Sequence, residues 1–97
     1  MDLSEMIKGD QLTLLNFHAT WCGPCHVMKP NLEKVRDKFG EKIFYGRIDI
    51  DQHREIAEIF QIRSVPTTIL IKGGEIKWRQ SGIIPDSEIS RLVEENL

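Results

Sequence analysis

A chain of 97 residues, 40% apolar and 29% charged, has room for one modest hydrophobic core, which sets the expectation of a single domain over residues 1–97 and excludes large cofactor-wrapping folds. Its 13 Lys+Arg stand against 15 Asp+Glu for a formal charge of −2, with both signs scattered and no basic block, so nucleic acid is not an expected partner. No apolar run approaches the roughly 18 residues of a membrane span, and Met1 to Lys8 lacks the basic and apolar regions of an export signal; a cytoplasmic protein with no membrane partner is expected unless a leader was removed.

The order of elements opens on a short helix. Leu12 to Phe17 is an almost wholly apolar run, interrupted by Asn16, and suits a strand buried on both faces. From Pro24 to Phe39 the residues Val27, Met28, Leu32, Val35 and Phe39 recur at helical spacing, with Pro24 tolerated in the first turn and Gly40 placed as the stop. Pro30 falls inside this helix and predicts a kink, since it lacks an N–H and crowds the turn behind it. Ile43 to Ile50 reads as a second strand, parallel to the first through the intervening helix, a βαβ unit. Asp51 is a candidate N-cap for a short helix over His53 to Phe60, with Ile56, Ala57, Ile59 and Phe60 on one side. After a return segment from Gln61 to Pro66, the runs Thr67 to Lys72 and Glu75 to Ser81 flank Gly73-Gly74 and predict an antiparallel hairpin. Past Gly82, the spacing of Ile89, Leu92 and Val93 predicts a closing amphipathic helix over Asp86 to Asn96, entered through Pro85.

Cys22 and Cys25 stand where the first strand gives way to the long helix, too close together to frame a disulfide-stapled scaffold. Residues i and i+3 of a first helical turn face the same way, so the two sulfurs can reach bonding distance with little backbone movement. Cys22 lies at the helix mouth, where unpaired backbone N–H groups and the positive end of the dipole favour an anion; its thiolate is expected to be stabilised and to act as the nucleophile. A bond closing so short a loop gains only about 2 kcal/mol of chain entropy, against about 3 for a loop of about 15 residues, and is expected to exchange readily. Half of a zinc site is disfavoured, because His18, His26 and His53 show no metal-ligand spacing and Gly23-Pro24 starts a helix instead of a knuckle. Two inert buried cysteines are disfavoured too, because a Gly-Pro turn at a strand end should bring the first sulfur to the surface.

The run Trp21-Cys22-Gly23-Pro24-Cys25 resembles the site motif of thioredoxins, and the likeness continues through Pro30, Asp49-Ile50-Asp51, Val65-Pro66-Thr67, Gly73-Gly74 and Gly82 in the same order and spacing. The resemblance implies an α/β thioredoxin-like fold, a mixed sheet flanked by helices. The N-terminus is shorter than the family's, and the resemblance matches Met1 to Lys8 to the first family helix, so the first edge strand is expected to be absent and the sheet to have four strands. It also implies a thiol-disulfide oxidoreductase that reduces protein disulfides with no bound cofactor or metal. Cys22 attacks the substrate disulfide and Cys25 resolves the mixed disulfide that forms. The partners implied are protein disulfide substrates and an electron donor of the thioredoxin-reductase type, with the protein itself a monomer. The dipeptide between the cysteines carries no charge, so the Cys22 thiolate gains no added cation and a reducing poise is expected. Val65-Pro66 resembles the family's cis-proline, which offers the Val65 backbone to an extended substrate segment. Together with Trp21, Gly23, Pro24, Gly82 and Ile83 it implies a flat apolar substrate rim.

Three positions depart from the family pattern. Asn16 stands where thioredoxins usually carry a buried aspartate thought to accept the proton of the second cysteine; an amide cannot do so, and slower resolution is expected. Arg47 stands where the family has a lysine paired with that aspartate, and is expected to reach solvent or find another acid. His18 replaces a tryptophan common in the family; a proton shuttle and an ordinary packing histidine are both open. His26 follows Cys25 but points about 100° away around the helix and is expected to be a solvated surface residue. These departures leave room for an alternative reading, a thioredoxin-fold binding module whose redox turnover is incidental.

Overall fold

The most apolar strand lies at the centre of the sheet. In the computed structural model, which describes residues 3–97, Leu12–His18 forms β1 and is buried from Leu12 through Phe17. β2 (Ile43–Asp49) runs parallel to β1 on one side, and β3 (Thr67–Lys72) runs antiparallel on the other. β4 (Glu75–Ser81) pairs antiparallel with β3, giving the order β2-β1-β3-β4. A strand with neighbours on both edges and helices on both faces needs apolar side chains at nearly every position, which is the pattern the first strand carries. The four-stranded mixed sheet is the one expected.

Side chains alternate along β1 and so divide the core in two. Leu12 and Leu14 pack with Met28, Leu32, Val35 and Phe39 of α2 (Gly23–Phe39) and with Ile89 and Val93 of α4 (Asp86–Asn96). Leu15 and Phe17 turn to the opposite face, toward Leu3 and Ile7 of α1 (Leu3–Lys8) and Ile56 of α3 (Arg54–Ile59). The Phe17 ring lies 5.4 Å from that of Phe60, which follows α3. The opening helix predicted from Met1 is present as α1; Met1 and Asp2 lie outside the described residues.

Three local expectations need correction. Val27, grouped by the helical spacing with Met28, Leu32, Val35 and Phe39, is 56% exposed, because it sits about 100° around from Met28 while residues 28, 32, 35 and 39 form one narrow buried stripe. Ile59 likewise points outward, at 76% exposure, on a helix too short to bury more than one stripe. Asp51 does not cap α3: the N-cap position is His53, without a side-chain cap, and Asp51 is engaged elsewhere. Pro30 lies within α2 without ending it.

The hairpin turn is as its residues dictate. Gly73 and Gly74 have φ of 59° and 79°, both left-handed, a requirement of the tight turn whose twist matches two antiparallel strands. Their N–H groups donate to the carbonyls of Gly9 and Ile7 at 3.0 and 2.9 Å, tying the hairpin to the end of α1. The opposite end of the sheet, where β1 runs into α2, is left for the cysteines.

Candidate active site

Cys22 is the N-cap of α2. Its backbone is extended (φ −93°, ψ 108°), and its sulfur accepts a hydrogen bond from the backbone N–H of Cys25 at 3.2 Å. A side chain that accepts from the first turn satisfies a donor the helix cannot satisfy itself, and sulfur here takes the place of the usual hydroxyl or carboxylate oxygen. No acidic residue occupies that first turn, so the positive end of the dipole is left to the sulfur. Cys22 and Cys25 are joined as a disulfide, with Cα atoms 5.3 Å apart.

The pair is less open than the sequence suggests. Cys22 is 5% exposed and Cys25 1%, in a small cluster with Ala19 on which Ile50 and Val65 pack. The expectation of a first sulfur at the surface is therefore corrected: Ile50 and Val65 close over it from the sides. The Val65 carbonyl oxygen lies 3.7 Å from Cys22 Sγ, a contact that becomes a hydrogen bond only when reduction gives the sulfur a proton. Val65-Pro66 is cis, and the Pro66 carbonyl accepts the N–H of Gly82 at 2.8 Å. Gly82 has φ 95°, a backbone conformation that favours glycine.

Around this centre the expected rim residues are dispersed. Trp21 is 68% exposed and Ile83 49%, and Gly23 and Pro24 are open as well, but Pro66 is buried. Pro66 contributes its carbonyl and its cis bond instead of apolar surface. Trp21 is held by its indole N–H, which donates to the Asp51 carboxylate at 2.8 Å. The segment carrying Gly82 and Ile83 is held on α2, where Ile84 N–H donates to Met28 Sδ at 3.3 Å and Asn31 Nδ2 donates to the Ile84 carbonyl at 3.0 Å. Sequence reasoning missed Asp51 and Asn31 in these roles. Asp51 carried a competing signal as a helix cap, and Asn31 carried none.

Asn16 and Arg47 meet across the pairing of β1 with β2. Asn16 is fully buried, its Nδ2 donating to Thr68 Oγ1 at 3.1 Å. Arg47 is partly exposed, and its Nε donates to Asn16 Oδ1 across a long 3.5 Å; among the described residues no acid forms an ion pair with it. The cause is register, since Arg47 is the cross-strand partner of Asn16. His18 ends β1 half-buried, and burial, then the charge of Arg47, lowers its pKa. His26 is exposed, with Nε2 3.0 Å from the Thr20 carbonyl. Among the described residues, no group of His, Cys, Asp and Glu side chains is placed to hold a metal ion, and no helix is long and apolar enough to cross a membrane.

Two sulfurs bonded at a helix mouth, beside a cis-proline on a four-stranded α/β sheet, define a thiol-disulfide oxidoreductase. The sequence model of the Thioredoxin family matches residues 2–95, and the chain belongs to that family. It is 32% identical over 94 residues to the thioredoxin of Chlorobaculum thiosulfatiphilum, covering 97% of this chain and 87% of that protein. It is 38% identical over 90 residues to the chloroplastic thioredoxin Y of Oryza sativa subsp. japonica, covering 93% of this chain and 54% of that one. Among solved structures, the thioredoxin of Malassezia sympodialis superposes with a TM-score of 0.87 at 31% identity, covering 96% of this chain and 81% of that one. The thioredoxin of Fasciola hepatica gives 0.88 at 26% identity, with 98% and 91% covered.

Proposed function

We propose that residues 1–97 act as one thioredoxin-like unit in which Cys22 is the nucleophile and Cys25 the resolving thiol. The observation that carries this assignment is Cys22 Sγ at the N-cap of α2, accepting the Cys25 N–H, because that position favours an anionic sulfur. In the reduced protein the Cys22 thiolate attacks a substrate disulfide and releases one substrate thiol. Cys25 then attacks Cys22 Sγ, releases the second substrate thiol and leaves the Cys22–Cys25 disulfide. An electron donor of the thioredoxin-reductase type returns the pair to the dithiol. The Val65 backbone pairs with an extended substrate segment, and Trp21, Gly23, Pro24, Gly82 and Ile83 form the surface around it, with Pro66 shaping the loop from below. The exposure of Trp21 and Ile83 supports that surface. Asn16, His18 and Arg47 modulate the pair from behind. Both cysteines lie in this one motif, which supports a reducing compartment, the cytoplasm; one copy holds both thiols and the rim, which supports a working monomer.

Insulin reduction coupled to a regenerating donor tests the assignment. Cys22→Ser is expected to abolish turnover, and Cys25→Ser to abolish it while accumulating a mixed disulfide through Cys22. A mixed disulfide that forms through Cys25 in the Cys22→Ser protein, at the parent's rate, overturns the order of roles.

A further inference from the structure

The two edges of the sheet are finished differently. β4 carries Glu75, Lys77 and Arg79, all exposed, and its pairing with β3 is broken by a register irregularity at Leu70/Ile71; both features discourage a further strand. β2, at the other edge, has no lysine or proline, its residues 44–47 are half-buried, and Arg47 and Asp49 give it one charge of each sign. Among the described residues no strand lies outside it.

The ladder shows which backbone groups are open at that edge. His18 is the register partner of Asp49, and the Ile50 N–H donates to the His18 carbonyl at 2.9 Å. In a strand the N–H and C=O of one residue point to the same edge and successive residues alternate, so even-numbered residues of β2 serve β1 and odd-numbered ones point outward. The Asp49 carbonyl is taken by the His53 N–H at 2.9 Å. Among the described residues nothing meets the N–H and C=O of Tyr45 or of Arg47. The flank of α2 beside this edge presents Arg36, 5.8 Å from the Tyr45 ring, together with Glu33 and Asp37, so both signs of charge border the open strand.

We propose that the outer edge of β2 is a self-association surface, on which β2 of a second copy pairs antiparallel with Gly46 of the two copies at the two-fold axis. This register spans the whole of β2. Tyr45 of each copy exchanges backbone hydrogen bonds with Arg47 of the other, and the Asp49 N–H of each meets the Ile43 carbonyl of the other. Arg47 then stands across from the Tyr45 ring of the second copy and Phe44 across from Ile48, pairs of the kind that stabilise neighbouring strands, and no side chain stands at the axis. Moving the axis to Arg47 would set two guanidinium groups face to face; moving it to Tyr45 would leave the Asp49 N–H opposite Glu41, in the turn Gly40–Lys42. The occupant is a second copy because the edge is complementary to itself: its strand carries one cation and one anion, its α2 flank carries both signs, and two copies meet no block of like charge. Each copy keeps its own thiols and rim, so one copy remains the working unit.

The test uses the oxidised protein, in which no cysteine is free to join copies covalently. Between roughly 10 μM and roughly 1 mM, sedimentation velocity is expected to show a mass rising from 11.2 kDa toward twice that value. Over the same range, amide hydrogen exchange at Tyr45 and Arg47 is expected to slow about tenfold, while exchange at Phe44 and Ile48, whose amides serve β1, changes little. Tyr45→Pro deletes an outward N–H and leaves the β1 ladder intact; it is expected to weaken association about tenfold or more relative to Tyr45→Val, which deletes the same ring and keeps the N–H. Phe44→Lys, a charge set against Ile48 of the second copy, is expected to weaken association as well and decides the matter if Tyr45→Pro loses the parental circular dichroism. A protein that stays monomeric to about 1 mM overturns the proposal. So does a dimer that the folded variants leave as tight as Tyr45→Val. Protection at Tyr45 and Arg47 that is already complete at the lowest concentration overturns it too, since the chain then covers its own edge.

Discussion

The two halves of the β1–α2 interface are equally buried and built by opposite rules. In the half away from the cysteines, Leu12, Leu14, Met28, Leu32, Val35 and Phe39 fill space with hydrocarbon and are between 0% and 7% exposed. In the half under the helix mouth, Asn16 is as buried as Leu14, but it is held by hydrogen bonds to Thr68 and Arg47. The first half derives its stability from area and volume, is indifferent to pH, and tolerates changes of shape poorly. The second half derives little stability from burying polar groups, and a buried amide there needs the partners that Thr68 and Arg47 supply. Burial alone therefore does not separate scaffold from site in this molecule, whereas the way each buried group is satisfied does.

Truncating the apolar half gives the largest stability effect expected from that comparison. Leu32→Ala removes a fully buried side chain from the centre of the cluster and is expected to cost about 3 kcal/mol in urea unfolding, with reduction per folded molecule unchanged. A comparable loss of specific activity would mean that the two halves are mechanically coupled. Making the polar half apolar comes next. Asn16→Leu leaves Arg47 Nε and Thr68 Oγ1 without their partner and is expected to cost about 1.5 kcal/mol; an equally stable variant would show that the amide is not needed to hold them.

The smallest effect expected is a pH limb. Burial, and then Arg47, lower the pKa of His18 from the ordinary 6.5, so the unfolded chain takes up a proton at this residue before the folded protein does. Stability is therefore lost as pH falls below 6.5 toward the folded value, and this residue contributes no pH dependence above it. His18→Gln is expected to flatten that limb in unfolding midpoints measured across acid and neutral pH. A limb of unchanged slope in the variant would assign it to another group.

The site was legible in the sequence where chemistry depends on neighbours along the chain. The Cys22-Gly23-Pro24-Cys25 run at a strand-to-helix junction was enough to place a sulfur at an N-cap, since three consecutive peptide units dictate that geometry. Gly73-Gly74 fixed its hairpin for the same reason. Errors arose where two readings of one residue compete. Asp51 suits a helix cap and also a partner for an indole, and only the position of Trp21 in space selects the second. Val27 and Ile59 suit either face of a helix at its edge, and the width of the buried stripe decides.

The sequence by itself determined the order of elements and the reacting pair, because periodicity, turn residues and a short motif act through local backbone geometry; the four-stranded mixed sheet came from the family resemblance. Tertiary structure alone decided that Arg47 lies on the Asn16 amide, that Ile50 and Val65 close over the cysteines, and that Gly82 is fastened to Pro66. Each of these depends on strand register or on the approach of segments far apart in the chain, and no local propensity encodes a distance between residues that the chain does not join.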